Sequence, residues 1–208
     1  MGRGPDLRHE RKLWRVGIEA VAGVDEAGVG PMAGPVVAAA ALFPSEVFIK
    51  GVNDSKKLTA EQRERLFEPI MEKALSVGVG VVDADDVDRL NIYWAAMLAM
   101  RRALDAMAHR PAHVLVDGRT IPGLILPQTR IVGGDRKSFC IAAASIVAKV
   151  TRDRMMAEYD ERFPGYGFAA HKGYCTPEHL ETLQRLGPSP IHRRSFSPVA
   201  AVLQMKLL

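Results

Sequence analysis

Cysteine is scarce in this chain. It has two in 208 residues, Cys140 and Cys175. That excludes a disulfide framework and a cysteine-rich zinc site, and it fits a reducing compartment. Long apolar runs are missing too. The longest, "GPVVAAAALF", is too short to span a bilayer. The N-terminus, "MGRGPDLRHERKLWRVG", is polar and basic with no apolar signal core behind it. A cytoplasmic protein with no membrane partner is the expectation. There is no internal repeat, low-complexity tract or obvious linker. No long apolar heptad repeat suggests a coiled-coil dimer, so a monomer is expected. "DADDVD" lacks the central glycine and distal glutamate of a calcium loop, and reads as the solvated start of a helix. His109 and His113 are four apart, but Pro111 lies between them and argues against a helical zinc face.

What is present is ordinary globular material. Hydrophobic residues make up 48% and charged residues 25%, and the formal charge is +4. The mild basic excess suits an anionic partner such as nucleic acid. "AVAGVDEAG" and "GPVVAAAALFP" read as two strands joined by a tight turn. "LTAEQRERLFEPIMEKAL" reads as a helix, with Thr59 as N-cap and Gln62 completing a capping box. Pro69 falls inside it, where a proline kinks or splits a helix. "SVGVGVV" is a further strand. "NIYWAAMLAMRRALDAMA" is an amphipathic helix, with Ile92, Ala95, Leu98 and Ala99 on one face. "HVLVDG" and "TRIVGGD" are short strands, each leading to an acid. "KSFCIAAASIVAKVTRDRMMAEYDERF" is a long helix whose small residues face a sheet, with Cys140 as a core residue. Met97, Met100 and Met107 read as packing residues. A Gly/Tyr/His-rich loop follows Pro164. A helix near "TPEHLETLQRLG" and a last one in "PVAAVLQMKLL" close the chain. The order predicts a single α/β domain over 1–208 with a mixed sheet.

Acids recur at the ends of the apolar strands: Asp25 and Glu26, Asp117, and Asp135. A lone acid there is usually a turn or cap residue. Four on three strands are harder to dismiss, because strand ends of an α/β sheet can converge in one crevice. Clustered carboxylates repel unless a cation neutralises them, and oxygen-only ligands favour Mg²⁺ or Mn²⁺. Two such ions about 4 Å apart suit phosphodiester chemistry.

"GVDEAGVGPMAGPVVAAA", "NDSKKL", "VDG", "GGDRKSFCIAAASIVAKVTRD", "GYGFAAHKGYCTPEH" and "GPSPIHRRSF" occur in this order. Together they closely resemble the bacterial type 2 ribonucleases H (ribonuclease HII), over a core of about 14–198. The resemblance implies a ribonuclease H-like mixed sheet flanked by helices, with a C-terminal helical region. It implies endonucleolytic hydrolysis of RNA in RNA–DNA hybrids and at single ribonucleotides embedded in duplex DNA. Two metal ions, Mn²⁺ or Mg²⁺, would serve a reaction giving 5′-phosphate and 3′-hydroxyl ends. The family's metal-binding acids carry over onto Asp25, Glu26, Asp117 and Asp135.

The resemblance also points to Gly28, Val29 and Gly30 as a loop that reads the ribonucleotide through its main chain. The family usually has arginine between these glycines, so Val29 is a departure that removes a phosphate-gripping cation. The tyrosine of "HKGY" carries over onto Tyr174, whose ring can support a sugar. In "NDSKK", Asn53, Ser55 and Lys56 are plausible phosphate contacts. "HRRSF" reads as a basic solvated surface. Two rivals remain. Ribonuclease HIII carries an additional N-terminal domain, for which the two dozen residues before Asp25 leave no expected room. A non-catalytic hybrid-binding module would be marked by loss of a metal acid, yet all four are present.

Overall fold

The computed structural model describes residues 4–205. Five strands form one sheet in the order β3-β2-β1-β4-β5. They are β1 (Val21–Ala27), β2 (Val36–Leu42), β3 (Ser76–Val82), β4 (His113–Asp117) and β5 (Gln128–Ile131). β1, β2 and β3 pair antiparallel; β4 joins β1, and β5 joins β4, in parallel. The sheet is mixed, as the alternation of apolar segments implied. The helices are α1 (Arg8–Trp14), α2 (Ala60–Lys73), α3 (Ala84–Leu90), α4 (Ile92–Asp105), α5 (Phe139–Arg162), α6 (Phe168–His171), α7 (Pro177–Leu186) and α8 (Ser197–Met205).

Both faces of the sheet are covered, which explains why β2 is apolar throughout rather than alternating. Ala38, Ala40 and Leu42 face α4 with Val24 and Val116. Ala39 and Ala41 face α5 with Phe139, Ala143 and Val147. Small residues set how closely the helices approach. A β-carbon on Gly78 or Gly80 would lie 2.0 Å or 2.1 Å from carbonyl oxygens of α4. One on Gly23 would lie 2.2 Å from the Cys140–Ile141 peptide of α5. The long helix therefore lies directly on the central strand, two residues from Asp25.

Other local expectations are met for the reasons given by their residues. Thr59 and Gln62 form the reciprocal capping box of α2. Asp83 caps α3, while Met97, Met100, Met107 and Cys140 are buried. His113 lies on β4 and bonds to Thr129 at 2.9 Å, away from any helical zinc face. Three features differ. The link between β1 and β2 is the loop 28–35, not a tight turn. Pro69 neither splits nor ends α2, which runs on to Lys73. α1 was not anticipated; its buried Glu10 accepts from the Ser138 hydroxyl and the Cys140 amide at the start of α5. The expected last helix is present as α8, and residues 206–208 lie outside the described residues.

Gly23→Ala should therefore destabilise the fold by about 1–3 kcal/mol or more, because neither backbone at this contact can yield cheaply. Denaturant unfolding checks this; an unchanged midpoint would mean that α5 does not sit on β1 as described.

Candidate active site

Asp25 and Glu26 are neighbours on a strand, so the pleat sends them to opposite faces. Asp25 follows Gly23 on the α5 face. Glu26 follows Val24 on the α4 face, where it borders a cavity of about 370 Å³ with Val29, Tyr93, Met97, Asp117 and Arg119. The parallel register pairs Val24 with Val116, so Asp117 ends β4 beside Asp25. Asp135 lies in the 3-10 turn Gly134–Arg136 that follows β5 and leads into α5. The Gly134 amide donates to Asp117 at 2.5 Å, which ties that turn to β4. All four predicted acids thus gather at the carboxyl ends of β1, β4 and β5, as a parallel arrangement favours.

Their electrostatics are unbalanced. Burial, then the charges of Glu26 and Asp117, push the Asp25 carboxyl well above the usual carboxylate range, while the Glu26 amide and the Ser145 hydroxyl oppose this. Burial and Asp117 raise Glu26, and Lys56 opposes. Burial, Asp54 and Asp117 raise Asp135, again against Lys56. Burial works against the charge on Lys56, but Asp25, Asp135, Asp54 and Glu26 outweigh it and raise its pKa. Lys56, with the exposed Arg136 3.8 Å from Asp135, does not neutralise this many carboxylates.

The donor set fits hard divalent cations: carboxylate oxygens, partly buried and short of positive charge. No three His, Cys, Asp or Glu side chains among the described residues close into a metal cage. An open carboxylate crevice is what Mg²⁺-type sites use, since such ions keep waters and substrate oxygens among their ligands.

The "NDSKK" segment divides. Lys56 is exposed beside the acids. Asn53 is half-buried and accepts from the Asp54 amide. Ser55 is turned inward, buried and bonded to Ser145 at 2.7 Å, so its side chain is not a surface contact. Asp54, not singled out from the sequence, is the fifth acid of the neighbourhood and caps the 3-10 turn Ser55–Lys57.

The loop 28–35 is built from beneath. Arg193 and Arg152, both 0% exposed, hold its carbonyls. Arg193 donates to the carbonyls of Gly28, Val29, Pro31 and Gly34 at 2.6–3.2 Å. Arg152 donates to those of Ala33, Pro35 and Lys172. This corrects the solvated reading of "HRRSF": Arg194 is exposed, but Arg193 is core. Burial brings the Arg193 pKa down to about 9, which leaves it charged at neutral pH. Gly28 has φ +93°, and a β-carbon there would lie 2.2 Å from Arg152 Nε, so this glycine makes room for an arginine. Gly30 is open: a β-carbon would meet only the Tyr174 ring, at 3.7 Å. Tyr174 is 44% exposed, with Lys149 Nζ 6.0 Å from its ring centre. The structure thus brings Val29, Gly30 and Tyr174 together beside the acids.

A buried histidine pair supports Tyr174. His179 Nδ1 bonds the Tyr174 carbonyl at 2.8 Å, so it carries the proton. His179 Nε2 must then accept from His192 Nε2, 3.0 Å away. His192 Nδ1 in turn accepts from the Ser189 amide. Every proton is placed with both rings neutral.

The ribonuclease HII family pattern matches residues 22–199. This chain belongs to the ribonuclease HII family. A ribonuclease HII from Myxococcus xanthus is 55% identical over 95% of this chain and 68% of its own length. One from Moorella thermoacetica is 56% identical over 90% of this chain and 91% of its own. Among solved structures, the ribonuclease H2 from Pyrococcus horikoshii superposes with a TM-score of 0.77 at 28% identity, covering 89% of this chain and 97% of that one. The chain is a ribonuclease H-type endoribonuclease acting on the RNA strand of RNA–DNA hybrids, with the ribonuclease H fold. No described helix is long and apolar enough to cross a membrane.

The histidine pair sets an acid limit on this site. Burial lowers His179 to about 4 and His192 to about 3, against an unfolded value of 6.5. Below 6.5 the unfolded chain binds more protons, so the pair's stabilisation is full above that pH and lost as pH falls toward 4 and 3. Thermal melts should fall across this window, and less steeply in the His179→Phe/His192→Phe variant, by a difference on the order of a few kcal/mol. Parallel pH dependences would mean that the pair is not held neutral.

Proposed function

We propose that this enzyme cuts beside single ribonucleotides embedded in duplex DNA as well as within longer hybrids, by metal-assisted hydrolysis. The observation that carries the chemistry is the gathering of four acids, with too little positive charge, at three neighbouring strand ends. Asp25, Glu26, Asp117 and Asp135 would hold two divalent cations, Mg²⁺ or Mn²⁺, which supply the charge for in-line attack on a phosphodiester. Water adds to phosphorus, and the P–O3′ bond breaks. The 3′-oxygen leaves as a hydroxyl, and the phosphate stays on the 5′ side of the downstream nucleotide. No covalent enzyme intermediate is involved.

The chain's own residues orient the strand. Val29 and Gly30 present main chain to the nucleotide, and Tyr174 supports its sugar. Lys56 meets a backbone phosphate beside the acids, with Asn53 in the same segment. Gly28 shapes the loop rather than touching substrate. The single domain acts as a monomer in the cytoplasm, with RNA–DNA hybrid or ribonucleotide-containing duplex as its partner.

The test is cleavage of a labelled duplex bearing one ribonucleotide, with and without Mg²⁺ or Mn²⁺. Asp25→Asn and Asp117→Asn should each abolish cleavage while keeping the fold and much of the binding. Because its neighbours repel Asp25, Asp25→Asn should also stabilise the protein by on the order of 1 kcal/mol in chelator. Wild-type turnover by either variant would remove that residue from the catalytic set.

Val29 gives a second test. This residue is 37% exposed and borders the cavity shared with Glu26 and Asp117. Val29→Arg should tighten duplex binding and steepen the log–log salt slope by about one unit, the signature of one added phosphate contact. Titrations across a salt series, with Ca²⁺ to block turnover, measure this. Unchanged affinity and slope would mean that position 29 does not face the phosphate backbone.

A further inference from the structure

The loop between β1 and β2 is buried at Gly28 and again from Pro31 to Pro35; only Val29 and Gly30 are exposed. The polar groups of these two residues follow from what holds the buried part. Arg193 draws the Gly28 carbonyl inward at 2.6 Å and the Val29 carbonyl inward at 3.2 Å. In a planar trans peptide the N–H of the next residue points opposite to the carbonyl. The amides of Val29 and Gly30 are therefore turned outward. Neither donates to another group among the described residues, whereas the Met32 and Gly34 amides further along are bonded to Gly173 and Ile191. Gly30 lies against the Tyr174 ring.

Arg193 forms no ion pair among the described residues. Its five N–H groups are satisfied by loop carbonyls, and its guanidinium lies 5.2 Å from the Phe196 ring centre. A charge fully buried without a carboxylate is costly unless such a fork of acceptors is complete. A lysine, with three donors at a single point, cannot reach carbonyls so dispersed.

We propose that Arg193 is the positioning residue for ribonucleotide recognition, its guanidinium fixing two peptide planes so that the adjacent amides of Val29 and Gly30 face the substrate as a ready pair of donors. This rests on the proposed reading of the loop as the part that meets the ribonucleotide. The 2′-hydroxyl oxygen, which an all-DNA duplex lacks, is the acceptor for this donor pair. Preorganisation is the benefit: two donors already aimed cost little ordering when the nucleotide arrives.

The test compares wild-type enzyme and Arg193→Lys in Ca²⁺, binding a duplex with one ribonucleotide and its all-DNA counterpart. The variant keeps the charge and loses the fork. Preference for the ribonucleotide should fall by about tenfold, the equivalent of roughly one hydrogen bond, with all-DNA affinity held within about twofold. A purely structural role would weaken both duplexes alike, and that result, or an unchanged preference, overturns the proposal. Should Arg193→Lys fail to fold, hydrogen exchange on the wild-type enzyme decides. The Val29 and Gly30 amides should exchange fast in the free protein and become protected by the ribonucleotide duplex but not by the DNA duplex. Slow exchange in the free protein, or equal protection by both, overturns it. A wild-type enzyme with no ribonucleotide preference would instead defeat the underlying reading of the loop.

Discussion

The contact between α5 and the central strand at Gly23 governs everything at the active site. It leaves no room for a side chain, and it fixes the long helix against the strand that carries Asp25. From that helix come Ser145, which supports the Asp25 charge, and Arg152, which reaches across to the loop after β1. The turn that carries Asp135 leads directly into the helix. Glu10 of α1 fastens the start of α5 by accepting from Ser138 and Cys140. A shift of the helix against the strand would therefore part Ser145 from Asp25 and Arg152 from the loop.

Two charge imbalances stand side by side on this frame. At the strand ends, carboxylates outnumber nearby cations, and several hold their protons more tightly than usual. Under the adjoining loop, two buried arginines have only carbonyls for partners. The first is unfavourable alone and suits cations; the second is sustained by its complete fork of carbonyls and holds the loop in shape. The fold tolerates this polarity because the sheet and its helices bury so much apolar surface on both faces.

Much of this was legible in the sequence, for local reasons. Strand ends are marked by an apolar run that stops at an acid, and Asp25, Asp117 and Asp135 follow that pattern. The α2 cap is written in Thr59 and Gln62. The small residues of α5 announced a close approach to a sheet. What the sequence concealed depended on partners far along the chain. Arg193 lies in a string of polar residues, where solvent is the ordinary surrounding for arginine, and the carbonyls that bury it lie about 160 residues earlier. Ser55 looked like a surface hydroxyl until Ser145 of α5 claimed it. The loop 28–35 looked short because its glycines and prolines imitate a tight turn.

The two glycines of the loop show how one pattern can hold two physical roles. Gly28 is a glycine because its backbone lies at φ +93° and Arg152 occupies the place of its side chain. Nothing crowds Gly30 except the edge of Tyr174, so its bareness serves whatever approaches from outside. Val29 between them needs no particular side chain for the loop to hold its shape, because Arg193 grips its carbonyl and not its isopropyl group. That is why the middle residue can vary in chemistry while the main chain on either side cannot. Shape comes from the arginines beneath, and the side chain at position 29 is left exposed.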